Sequence, residues 1–169
     1  MRTLAMLAAG TTSCTGSTST DCAEGPIEVT LGSGMAAFEP LAEGDDVTMV
    51  FGPQGGWHID VSAHLSGIGP EVELRPAARR VSDGLPLAGD QQAIFLLLAD
   101  YDATSCTGDA MGIRAFVDDA TPDVPYPDFI CSLDGAPIEL SLEVSDFGSR
   151  TASDSLVVTA RPDPSQVCY

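Results

Sequence analysis

The chain of 169 residues contains no lysine and no asparagine. Without lysine, seven arginines face 25 acidic residues, and the formal charge is −18. A surface this negative repels phosphate backbones and anionic lipid head groups, which excludes nucleic acid as a partner. It suits cations, basic surfaces or plain solubility. Without asparagine there is no Asn-x-Ser/Thr glycosylation acceptor. Aromatic residues make up only 6%, and Trp57, Tyr126 and Phe129 are too scattered to form a sugar-stacking platform. Past the first ten residues, the longest apolar run is Ala93 to Ala99, seven residues with Ile94 to Ala99 as its bulk, where a spanning helix needs about 20. Helix formers are scarce as well. Seventeen glycines and 12 prolines are spread along the chain, and only Pro76-Ala77-Ala78-Arg79-Arg80 reads as a single helical turn.

Catalytic parts are also missing. No serine sits in a Gly-x-Ser-x-Gly elbow, no lysine can serve as base, and both histidines belong to one segment. No two cysteines have the two-residue spacing of a zinc knuckle or a redox pair. Gly52-Pro53-Gln54-Gly55-Gly56 lacks the Lys-Ser/Thr and the helix that would make it a phosphate loop. Its glycines read as a turn with positive φ. The expectation is a non-enzymatic domain.

What is present is period-two alternation, the mark of half-buried strands. Ile27, Val29 and Leu31 share a face, as do Val47, Met49 and Phe51. From Trp57 to Leu65, Trp57, Ile59, Val61, Ala63 and Leu65 face one way, and His58, Asp60, Ser62 and His64 the other. Ile138, Leu140, Leu142 and Val144 alternate with polar residues, and Leu156, Val158 and Ala160 follow. Val72 to Leu74 and Ile113 to Val117 add shorter strands. Ile94 to Leu98 is apolar on both faces and reads as a central strand. Gly- and Asp-rich turns separate these runs. The pattern predicts an all-β, antiparallel β-sandwich of about seven to nine strands.

Met1-Arg2, a short apolar run from Leu4 to Ala9 and then small residues read as a signal peptide over residues 1–13. Residues 14–21, rich in Ser, Thr and Gly, read as a flexible tether, and residues 22–169 as the sandwich. Thr11-Thr12-Ser13-Cys14 resembles the bacterial lipobox, in which small residues precede a cysteine that takes diacylglycerol. No aliphatic residue stands three before the cysteine. The resemblance implies lipidation at Cys14, membrane contact through that anchor only, and a place in the cell envelope, outer-membrane-anchored or secreted. With Cys14 set aside, Cys22, Cys106, Cys131 and Cys168 form an even set. In an exported chain that implies two disulfides with three possible pairings. Cys106–Cys131, closing the longest irregular loop, and Cys22–Cys168, tying the ends, are the favoured pairs.

The closing hairpin, Leu140 to Thr159, has an alternating strand, an Asp-Phe-Gly turn and a second alternating strand. Over these 20 residues it resembles the last two strands of bacterial immunoglobulin-like, polycystic-kidney-disease-type domains. Gly52-Pro53-Gln54-Gly55-Gly56-Trp57-His58, after a Gly-Asp turn and a short strand, resembles a segment of uncharacterised bacterial envelope lipoproteins. These likenesses imply an immunoglobulin-like sandwich in the envelope, and no activity.

Two constellations remain as cation candidates. His58 and Asp60 lie about 6.6 Å apart along one strand face and could hold a metal ion with help from a neighbour. The bland alternative is an exposed polar face, with His58 bonded to the preceding turn. Asp100-Tyr101-Asp102 begins like a calcium loop, but Ser105 and Met111 occupy the positions where an EF-hand needs Gly and Glu. A looser calcium site could use Asp100, Asp102, Asp109, Asp118 or Asp119. The expected function is thus a non-enzymatic envelope lipoprotein domain with a binding or structural role and an envelope-protein partner. A calcium- or other cation-binding extracellular domain is the alternative.

Overall fold

In the computed structural model, residues 22, 25–53, 55–89, 91–117, 126–147, 150–165 and 168 are described. They form β1 (Glu28–Ser33), β2 (Glu39–Pro40), β3 (Asp46–Phe51), β4 (Trp57–Ser66), β5 (Glu71–Arg80), β6 (Ile94–Leu97), β7 (Ala99–Asp102), β8 (Thr107–Phe116), α1 (Tyr126–Ser132), β9 (Pro137–Ser145) and β10 (Thr151–Pro162). Alternating side chains explain most of these strands. In β9, Ile138, Leu140, Leu142 and Val144 are buried while the residues between them reach the surface. β10 pairs with β9 over nine residues, from Thr151 with Ser145 to Thr159 with Pro137, so the expected closing hairpin forms.

All ten strands belong to one sheet, running β2-β1-β4-β3-β10-β9-β5-β6, with β8 and β7 continuing from the other edge of β4. The sheet curls until β5 lies against β8 and β1 against β9. Leu31, Met49, Ile59, Leu65, Leu74, Ile113, Ile138 and Leu140 fill the space between. Each is at most 1% exposed.

The expected all-β class holds, but the antiparallel immunoglobulin-like sandwich of seven to nine strands is corrected to a curled, mixed, ten-stranded sheet. The difference arises where β3 and β10 run parallel, Asp46 beside Thr159 and Met49 beside Pro162. A parallel pair needs a long crossover rather than a local turn, and nothing in either strand's own pattern announces it. Pro76 to Arg80, read as a helical turn, is instead the second half of β5 and pairs with β9 from Leu142 to Ile138. Proline is tolerated there because β6 stops opposite Leu74, so beyond that point one edge of β5 has no β6 ladder to join.

The disulfide pairs are corrected too. Cys22 is bonded to Cys106 and Cys131 to Cys168. The sheet register gives the reason. Ser66 at the end of β4 pairs with Glu28 of β1 on one side and Thr107 of β8 on the other. The residues just before β1 and just before β8 therefore meet at one end of the molecule. The helix α1 carries Cys131 and leads into β9, whose first residue lies beside Thr159. The chain leaving β10 thus passes the helix, and Cys168 reaches Cys131. Cys14, the remaining cysteine, and the expected signal and tether segments lie outside the described residues.

Candidate functional site

β4 is paired along both edges, with β3 and β1 on one side and β8 on the other. Its apolar face is core, as expected. Its polar face is not the solvated surface expected from the alternation. His58 is 4% exposed. Phe116 packs edge-on against its ring at 6.3 Å. A Cβ on Gly52 would stand 3.2 Å from that ring, so the turn glycine is what lets it close down. Gly55 and Gly56 take the positive φ expected of the turn. His58 Nε2 lies 3.3 Å from Asp60 Oδ1. That oxygen is buried and accepts no well-formed hydrogen bond among the described residues. Burial lowers the His58 pKa below its ordinary value, and the nearby Arg114 adds to this, while Asp60 pulls the other way. Neutral His58 beside a carboxylate is a packed pair on a covered face. Among the described residues, no three His, Cys, Asp or Glu side chains converge as a metal cluster.

The loop aspartates are placed separately. Asp102 accepts hydrogen bonds from Thr104 N–H and the Ser105 hydroxyl, and these hold its carboxyl below the ordinary value. Asp109 contacts His64 Nδ1 at 2.7 Å across the β4–β8 ladder. This contact was not foreseen, because the two residues are neighbours only through strand register. Asp100 sits at positive φ between Ala99 and Asp102, where the pairing of β7 with β8 shifts register. Asp118 and Asp119 lie outside the described residues.

The most unusual surface lies elsewhere. Ile94 to Leu97, expected at the sheet centre, is the last strand of the sheet and pairs, among the described residues, with β5 alone. Phe95 is 63% exposed and Leu97 69%, and Phe147, from the β9–β10 turn, is 67% exposed. Phe95 and Phe147 stack, with ring centroids 6.2 Å apart. Together they line a shallow depression of about 300 Å³ with Glu71, Val72 and Leu96. Leu98 N–H donates to Pro70 C=O. By the two-residue alternation of an antiparallel ladder, the main-chain groups of Phe95 and Leu97 then point away from β5.

Arg150 fixes this end of the molecule. Its Nε bonds Asp146 at 2.7 Å, and its guanidinium donates to the carbonyls of Cys22, Gly25 and Gly67. The Tyr101 hydroxyl, with its one hydrogen to donate, lies 3.0 Å from Ile68 C=O and 3.2 Å from Cys22 Sγ. Phe147 therefore follows directly on Asp146, which holds the arginine that clamps the entry of the N-terminal chain. The sequence offered one sign of this: a phenylalanine inside a turn has no core to enter.

A second groove, of about 620 Å³, runs between the outer edge of β8 and residues 88–94. No strand among the described residues pairs with β8 there. The Gln91 amide fills in, donating to Arg114 C=O and accepting from Phe116 N–H.

No helix among the described residues is long and apolar enough to cross a membrane. No protein-family model matches the chain, and no curated protein matches it. Among solved structures, the CooA pilin subunit from enterotoxigenic Escherichia coli is similar over 80% of this chain and 99% of that one, at 13% identity and a TM-score of 0.37.

Proposed function

We propose that this chain is an exported, non-enzymatic domain of the cell envelope, anchored through lipid on Cys14, with a binding or structural role. The observation that carries the reading is the cysteine pairing. Cys22–Cys106 and Cys131–Cys168 account for four of the five cysteines, which sets Cys14 apart. Disulfides belong to oxidising compartments. The Ser- and Thr-rich residues 15–20 supply the slack an anchored domain needs.

Mass spectrometry of the protein extracted from membranes of producing cells tests this. The expected result is a mature N-terminus at Cys14 carrying diacylglycerol. An unmodified Cys14 thiol in membrane-extracted protein would sink the anchor.

A further inference from the structure

The exposed apolar cluster and the entry of the N-terminal chain share one end of the molecule. Phe147 stacks on Phe95, Asp146 holds Arg150, and Arg150 holds the Cys22 carbonyl. From Cys22 back to Cys14 is eight residue steps, at most about 29 Å of extended chain. A lipid on Cys14 therefore keeps this end within reach of the bilayer surface.

Three kinds of occupant could cover the cluster. At roughly 200 Å² for a phenylalanine side chain, the three exposed residues present about 400 Å². Two copies facing each other would bury about 800 Å², below the roughly 1,200 Å² of stable protein pairs. Each copy would also bring a charge of −18 against the other. An added peptide strand could use the free edge of β6, but that strand is only four residues long. A lipid surface needs neither area complementarity nor a long edge. The acidic surface excludes an anionic one; of the acids around the cluster, Asp146 is held by Arg150 and Glu73 by Arg75, and Glu71 stands exposed at the rim.

We propose that Phe95, Leu97 and Phe147 rest in the interface of a zwitterionic lipid bilayer, so that the anchored domain stands on this end with the Trp57 end of β4 pointing away. The inference rests on the anchoring reading but is tested apart from it. The disulfide-intact chain, produced without residues 1–13 so that Cys14 keeps its free thiol, can be coupled through that thiol to a maleimide phospholipid, apart from whether cells acylate the residue. It is then placed in phosphatidylcholine vesicles brominated on the acyl chains. Native Trp57, at the far end of a ten-residue strand, serves as the internal reference.

The expected result is little quenching of the native chain and at least about a twofold loss of the added emission in Phe95→Trp. That quenching should be relieved when Leu97→Ser and Phe147→Ser are introduced beside it. Added emission as unquenched as that of Trp57 overturns the proposal, and so does cross-linking of two chains through this cluster on the vesicle. Since residue 95 is a surface position, Leu97→Trp is a second reporter should Phe95→Trp fold poorly. Acylated Cys14 in cells with an unquenched reporter would leave the anchor standing and this inference refuted. Quenching with an unacylated Cys14 would do the reverse.

Discussion

β4 and β6 show two opposite ways of using a strand. β4 has partners on both edges, its apolar face is buried, and even its polar face is covered at His58 and Ser62. Its histidine, serine and aspartate side chains are absorbed by Phe116, by the Ser33 carbonyl and by each other. β6 has one partner and keeps two of its four side chains bare, although all four are apolar. Position in the sheet, not hydrophobicity, decides which strand is core. What this teaches is that apolar residues at the edge contribute little to the fold and are available for contact with something outside it.

Four measurements would break or sharpen the contrast. The largest effect is expected at the disulfide joining the segments that flank β4. Replacing Cys22 and Cys106 together by serine reopens a loop of 84 residues and should cost about 4 kcal/mol in urea unfolding. A loss under about 1 kcal/mol would mean that the ladders alone hold this end. Within β4, Leu65 has no exposed surface, and Leu65→Ala should cost about 3 kcal/mol. A milder effect would show that β4 is not the centre described.

The third concerns pH. Because burial lowers the His58 pKa, the unfolded chain binds its proton first as pH falls. The stability His58 contributes is therefore present above its ordinary value of 6.5 and is lost as pH falls from there toward the lowered one. The melting temperature should decline between pH 7.5 and 5.5, and less steeply in His58→Gln; equal slopes would place His58 in water. Asp60 and Arg114 are the charged groups facing it, and Asp60 opposes the shift. The smallest effect belongs to β6. Phe95→Ser should change stability by no more than about 0.5 kcal/mol, and a loss comparable to that of Leu65→Ala would make β6 structural.

Much of the fold was legible because alternation is written into single segments. The apolar faces of β4, β9 and β10 were read residue by residue, and so was their separation by glycine turns. What escaped was whatever depends on which segments meet. Ile94 to Leu97 looks central because four apolar residues in a row usually are, yet whether a ladder forms on both sides is set by distant strands. His58 looks exposed because its neighbours alternate, but Phe116 of β8 covers it. Cys106 and Cys131 are near in sequence, and the register of β1 and β8 against Ser66 sends Cys106 to Cys22 instead. The one sign within reach was Phe147, stranded in a turn.

The parallel pairing of β3 with β10 also has a consequence for how the chain is completed. Asp46 to Met49 find that neighbour only in residues 159–162, near the end of the chain. A chain emerging from its N-terminus during synthesis presents β1, β3, β4 and β8 long before β10 arrives. Until then β3 stands open along one side, and Cys131 waits for Cys168. Loop closure over so long a separation is slow to be rewarded. Residues 159–168 thus act as the latch of the domain: a chain lacking them would be left with an unsealed sheet and an unpaired thiol.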